Sequence, residues 1–74
     1  MGGYQLTAII EREDDLFVAR CVELDIASHG SSGPAALSNL KEAVALFVAD
    51  AKDADVLELL TREVEVTLFE VDRC

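Results

Sequence analysis

The clearest hydrophobic pattern in the chain lies between Gly30 and Ala51, where apolar residues recur with helical spacing. At about 100° per residue, the apolar side chains of this stretch share one arc of roughly 140°. That arc contains Ala36, Leu37, Leu40, Ala43, Val44, Phe47, Val48 and Ala51, and the opposite, polar arc carries Ser38, Asn39, Lys41, Glu42 and Asp50. Ser31 or Ser32 can cap the first free amides, and Pro34 suits the opening turn. The pattern predicts an amphipathic helix that packs on an apolar surface.

Segments on either side of this helix have the composition of strands, and they predict the surface on which it packs. Three strands are expected before the helix, at Tyr4–Glu11, Leu16–Val22 and Ile26–His29. An acidic hairpin turn over Glu11–Asp15 joins the first two, and Glu23–Asp25 interrupts the chain before the third. The first two strands therefore predict an antiparallel pair.

The end of the chain predicts a fourth strand over Glu63–Val71, where apolar and acidic or polar residues alternate. Phe69 and Val71 fall on the acidic side of this alternation, which a β-bulge or a subunit contact on the outer face would explain. The preceding segment fits either a short helical turn or an irregular connection, with apolar anchors at Val56, Leu57, Leu59 and Leu60. The order β-β-β-α-β predicts an α+β domain with one helix packed across a small, mainly antiparallel sheet.

Length and composition favour one domain, residues 1–74, that associates with itself or with a partner. Of the 74 residues, 51% are hydrophobic, which is more than a core of this size readily hides. The predicted contacts between copies are Leu46 on the polar side of the helix and Phe69 and Val71 near the end of the chain. The oligomer is expected to be a dimer or a tetramer.

Charge and targeting signals limit the classes of partner. The formal net charge of −9 disfavours direct contact with nucleic acid or with anionic lipid, and it suits a basic protein. The simpler interpretation is that the acidic residues only keep a small hydrophobic domain soluble. The sequence shows no secretory leader and no apolar run long enough to cross a bilayer, so a cytoplasmic protein is expected.

Two segments, CVELDIASHG and SSGPAALSNLKEAVALF, give the chain a resemblance to the HicB family of bacterial and archaeal antitoxins. The matching features are Tyr4, the ERED turn, Glu23 with Leu24, Gly30, Ser32 and the stretch Leu40-Lys41-Glu42-Ala43. The sequence departs from the family at Val22, where proline is usual, at Asp25-Ile26, where Pro-Gly is usual, and at Ala35, where an acidic residue is common. The resemblance covers about three quarters of the chain.

The resemblance implies a partial RNase H-like fold without nuclease activity, and a small basic HicA-type toxin as partner. Full-length members carry a further DNA-binding module, whereas this chain is expected to be the N-terminal domain alone. The acidic residues expected to bind the toxin are Asp14, Asp15, Glu23 and Asp25, which are predicted to lie at one edge of the molecule, and Glu63 and Glu65 on the last strand. The alternative is an orphan homo-oligomeric structural or regulatory domain that has no toxin partner.

Residues that could carry chemistry are few, and no catalytic, cofactor-binding or metal-binding residue is expected. His29 is the only histidine, and its spacing from Cys21 and Cys74 does not fit a zinc site. Two-metal cleavage of nucleic acid needs converging carboxylates, whereas the central inward positions of the first strand are Leu6, Ala8 and Ile10. A non-enzymatic protein is therefore expected.

Overall fold

The computed structural model describes residues 4–61 and 64–73, and this part of the chain forms three strands and two helices. The elements are β1 Ala8–Glu13, β2 Leu16–Cys21, β3 Ile26–Gly30, α1 Gly33–Asp50 and α2 Asp53–Leu60. The sheet has the order β1-β2-β3, and both strand pairs are antiparallel. An α+β fold with a helix packed across an antiparallel sheet is therefore confirmed.

The predicted hairpin between β1 and β2 forms, but its turn consists of Asp14 and Asp15 alone. The predicted turn over Glu11–Asp15 is too long, because Glu11, Arg12 and Glu13 pair with β2 as part of β1. Asp14 has a φ of 54°, a left-handed conformation that aspartate tolerates better than most residues. Across the hairpin, the Arg12 guanidinium carbon lies 5.8 Å from the centroid of the Phe17 ring, and Arg12 Nε donates to the Asp14 carbonyl at 3.1 Å. These contacts hold the closed end of the hairpin.

β1 begins later than predicted, because the backbone of Thr7 bonds to a side chain instead of continuing the ladder. Val22 N–H donates to the Thr7 carbonyl at 3.0 Å, but Thr7 N–H donates to Glu23 Oε1 at 2.7 Å. The regular pairing therefore ends at Ala8 and Cys21.

α1 matches the predicted helix in both its start and its faces. Ser32 is the N-cap, its Oγ accepting from Ala35 N–H at 3.2 Å, and Pro34 follows in the first turn. Every member of the predicted apolar arc is buried or half-buried, and the five members of the polar arc are exposed. The helix contacts all three strands and packs most extensively on β3.

The core lies between α1 and the sheet. Its buried residues are Ala19, Cys21, Leu24, Ala36 and Leu40. For residues 52–62 the sequence fits either a helical turn or an irregular connection, and as far as Thr61 the structure shows the helix α2. Val56 in this helix is 1% exposed, and Leu59 and Leu60 pack against the core.

The predicted fourth strand does not form in the single chain. Glu63 lies outside the described residues, and residues 64–73 carry no strand. Leu68 and Phe69 are 97% and 83% exposed, so neither side chain packs and no bulge is present. The alternation of apolar and polar residues indicates which side chains could share a buried face. A strand also needs a neighbouring strand that completes its backbone hydrogen bonds.

Candidate protein-binding surface

The two faces of the sheet have different surroundings. Ile10 points towards α1, because a Cβ built on Gly33, the first residue of α1, would lie 3.9 Å from Ile10 Cγ2. On β2, Ala19 and Cys21 are buried in the core between the sheet and α1. Because side chains alternate along a strand, the neighbouring positions point to the opposite side. This outer sheet face consists of Ile9, Glu11, Glu13, Leu16, Val18, Arg20, Ala27 and His29.

The outer sheet face combines an apolar centre with an acidic end. Ile9 is 42% exposed and Leu16 is 48% exposed, and Val18 between them is half-buried. Glu11 pairs with Val18, and Glu13 pairs with Leu16, next to the hairpin turn. Accessible apolar residues beside charged residues are typical of surfaces that bind another protein.

The predicted acidic residues do not share one edge of the molecule, and that part of the prediction is wrong. Asp14 and Asp15 lie at the start of β2, whereas Glu23 and Asp25 follow its end. Six residues of β2 separate the two groups, roughly 20 Å of strand. The physical reason is that an antiparallel meander reverses direction at each turn, so consecutive turns lie at opposite ends of the sheet. Glu65 is exposed in the segment after α2, and Glu63 is outside the described residues.

Glu23 is bound within the fold, unlike the acidic residues at the hairpin. Its Oε1 accepts from Thr7 N–H, and its Oε2 accepts from Thr7 Oγ1, both at 2.7 Å. Partial burial raises the pKa of Glu23, but the hydrogen bonds from Thr7, from its own backbone N–H and from the Cys21 thiol together lower the pKa below its ordinary value. This carboxylate fixes the start of β1 against the β2–β3 turn.

The predicted oligomer contacts occupy two different elements. Leu46 is 71% exposed on α1, and Phe69 and Val71 are 83% and 77% exposed in the segment after α2. Leu46 contributes nothing to the groove described next, although its neighbour Ala45 does.

An apolar groove of about 410 Å³ runs between the start of the chain and α1. We call it the edge groove, because it lies beside β1, one of the two edge strands of the described sheet. It is lined by Tyr4, Leu6, Thr7, Ala8, Cys21, Leu37, Leu40, Lys41, Val44, Ala45 and Val48. Lys41 is its one charged side chain among the described residues.

Among the described residues, Cys21 and His29 lie on different strands and on opposite faces of the sheet. Cys21 is 1% exposed, and its thiol faces Glu23 Oε1 at 3.9 Å. His29 is exposed on β3, and its carbonyl accepts from Asn39 Nδ2 at 2.8 Å. In residues 4–61 and 64–73, no three histidine, cysteine, aspartate or glutamate side chains are grouped as metal ligands. Cys74 is outside this part of the chain.

The described residues define a small α+β fold with one helix packed across an antiparallel sheet. Comparison with protein-family models, with curated proteins and with solved structures found no match. The HicB resemblance therefore stays an expectation. Within the described residues, no helix has both the length and the apolar character needed to span a bilayer.

Ile9, Glu11, Glu13 and Leu16 are candidate binding residues that the sequence interpretation did not select. A signal for them was present, because Ile9, Leu16 and Val18 fall on the opposite side from the strand residues expected to face the helix. The alternation could not show whether that second apolar side meets another layer or solvent.

Proposed function

We propose that this protein is a non-enzymatic, antitoxin-like domain that binds and occludes a small basic HicA-type toxin that cleaves mRNA. The outer sheet face carries the proposal, since it joins exposed apolar residues to an acidic end in a chain of net charge −9. The contact uses Glu11 and Glu13 together with Asp14 and Asp15. Asp25 and Glu65 contribute to the negative field from other parts of the surface.

Electrostatic complementarity gives the proposed mechanism. An acidic surface attracts a basic partner over several ångströms and raises the association rate more than the affinity. The apolar centre at Ile9 and Leu16 then supplies area that is removed from water on contact. A toxin covered in this way loses access to RNA, both because the site is blocked and because negative charge repels the phosphates. The domain itself needs no catalytic group or cofactor for this activity.

The proposal is tested by mixing the purified chain with a HicA-type toxin and measuring association rate and RNA cleavage. Association should slow steeply as salt increases, and an excess of the domain should suppress cleavage. The double variant Glu11→Lys, Asp15→Lys should associate roughly tenfold or more slowly, because it reverses charge at the acidic end of the surface. Undiminished cleavage at an excess of the wild-type domain would overturn the proposal.

A matched control separates the local effect from the change in net charge. Glu42→Lys, Asp50→Lys makes the same charge change at exposed positions on α1. If the outer sheet face binds the toxin, this control should slow association much less than the Glu11, Asp15 double variant. Equal slowing by the two double variants would contradict the assignment of the surface.

The second candidate is a homo-oligomeric structural or regulatory domain without a toxin partner. The observation that favours it is the exposure of Val66, Leu68, Phe69 and Val71, which range from 62% to 97% exposed in the single chain. Self-association is compatible with either function. Failure to bind any HicA-type toxin, with the oligomer intact, would favour this second candidate.

A further inference from the structure

The segment after α2 is exposed in a way that a single copy does not explain. Val66, Leu68, Phe69 and Val71 are 62%, 97%, 83% and 77% exposed. The chain has a radius of gyration of 14.5 Å and measures 49 × 29 × 19 Å. A compact chain of this length would have a radius of gyration of about 11 Å. Val64 is half-buried, but residues 65–73 are all exposed and therefore lack a packing surface in the single chain.

Strand β1 offers the backbone groups that such a segment needs. Thr7 and Val22 are joined by a backbone hydrogen bond. Because hydrogen-bonded and non-hydrogen-bonded pairs alternate along an antiparallel ladder, the backbone N–H and C=O groups of Ile9, Glu11 and Glu13 also point towards β2. The N–H and C=O groups of Ala8, Ile10 and Arg12 then point away from β2, along the edge of the described sheet. An edge of this kind is a template for one more strand.

The edge groove supplies the apolar surface beside the same strand. A strand added to β1 would place alternate side chains on the α1 side of the sheet, where Leu37, Val44 and Val48 line the groove. Val64, Val66 and Leu68 have this spacing. These three side chains would therefore face the cavity of about 410 Å³ that is open beside β1.

The charges and the other apolar residues of the segment also match. Glu70 has the same parity as Val66 and Leu68, so it would come to the side of the sheet that holds Lys41 and Arg12. Phe69 and Val71 have the opposite parity and would extend the outer sheet face next to Ile9. At Leu68 and Phe69 the apolar residues change from one side of the alternation to the other. This change then needs no bulge, because both sides of the added strand have apolar neighbours.

We propose that two copies of this chain exchange residues 64–71, each segment pairing with β1 of the other copy and filling its edge groove. Leu59 and Leu60 pack against the core of their own copy, which fixes where the segment begins. Because each copy gives one segment and receives one at its β1, the exchange is a closed, twofold arrangement. Two exchanged strands would bury on the order of 1,500 Å², an area typical of stable interfaces. The inference does not depend on toxin binding.

The experiment measures the mass of the full chain by sedimentation over a range of concentrations, for the wild type and three variants. Leu68→Asp should weaken the dimer on the order of 100-fold, because it places a charge in an apolar groove twice per dimer. Leu68 is 97% exposed in the single chain, so this variant should still fold. Ala8→Pro removes an outward N–H from an edge strand that tolerates proline, and it should also give monomers.

Leu46→Asp is the matched control, since it makes the same chemical change at an exposed position that does not line the groove. It should remain dimeric. A dimer made of equal parts of differently isotope-labelled chains should show contacts between β1 amides of one copy and residues 64–71 of the other.

Three results would overturn the exchange. They are a wild-type chain that is monomeric at every concentration, a dimer broken by Leu46→Asp but not by Leu68→Asp, and β1 contacts to residues 64–71 found only within one chain. Toxin binding is measured separately, by association rate and RNA cleavage, so failure of the exchange and failure of the proposed function can be told apart.

Discussion

At the scale of single residues, Glu23 holds together two parts of the chain that are 16 positions apart. Both of its carboxylate oxygens accept hydrogen bonds from Thr7, one from the backbone and one from the hydroxyl. Hydrogen bonds to a charged acceptor are stronger than neutral ones. Thr7 therefore keeps its N–H satisfied although the ladder with β2 has ended.

These hydrogen bonds give a prediction for stability against pH. The pKa of Glu23 is lower in the folded chain than in the unfolded chain, so its stabilising effect is fully present above the ordinary glutamate pKa. It is lost as the pH falls through the lowered folded pKa. Glu23→Gln should reduce the free energy of unfolding at neutral pH by about 1 kcal/mol, because solvent screens this partly exposed carboxylate, and it should flatten the decline in acid. Urea unfolding at several pH values measures both effects.

Glu42→Gln is the control for this prediction, because it removes one negative charge from an exposed position on α1. It should leave the free energy of unfolding within about 0.5 kcal/mol of the wild type at each pH. A decline in acid as steep in Glu23→Gln as in the wild type would show that Glu23 does not carry the linkage.

At the scale of elements, the passage from β3 into α1 depends on the absence of a side chain at Gly30. A Cβ built there would lie 2.6 Å from the Ala36 backbone nitrogen and 2.8 Å from the Ala35 carbonyl carbon. Both neighbours are backbone atoms in the first turns of α1, which Ser32 caps. Since neither can move without shifting the helix, Gly30 sets how closely α1 approaches the sheet.

Gly30→Ala should therefore destabilise the fold by about 2–3 kcal/mol, through displacement of α1 from β3. Gly33→Ala is the matched control, because its Cβ would meet only Ile10 Cγ2, at an ordinary 3.9 Å. That change should be neutral or stabilising by up to about 1 kcal/mol. Thermal unfolding of the two variants compares them directly, and equal melting temperatures would contradict this account.

How far the elements can be predicted from sequence depends on how local their determinants are. The faces of α1, its cap and the Asp14–Asp15 turn follow from neighbouring residues, and the structure confirms them. The Thr7–Glu23 bonds join distant positions, so the sequence did not reveal that β1 would start at Ala8. Likewise, alternation in residues 64–71 could not supply the partner that a strand requires.

The candidate surface was predictable only in part, for a related reason. The sequence showed many acidic residues and a second apolar side on the first two strands, and these are the components of the outer sheet face. It did not show which acids come together. Only the meander places Glu11 and Glu13 beside Asp14 and Asp15, and puts Glu23 and Asp25 at the other end.

At the scale of the whole molecule, apolar surface and negative charge oppose each other. The exposed residues of the outer sheet face and of residues 64–71 favour association, because contact removes them from water. A net charge of −9 opposes both compaction and the approach of a second copy. Added salt should therefore favour folding and self-association, and it should weaken the binding of a basic partner.

This balance predicts that salt stabilises the fold. Between ~0.02 M and ~0.5 M NaCl the screening length falls from about 20 Å to about 4 Å, so repulsion among the acidic residues weakens. The melting temperature should rise by roughly 4–8 °C at a fixed protein concentration, equivalent to about 1 kcal/mol for a domain of this size. The triple variant Glu11→Gln, Glu42→Gln, Glu58→Gln changes three exposed residues and reduces the net negative charge from −9 to −6. Its melting temperature should respond less to salt, and an equal response would show that repulsion between charges is not the cause.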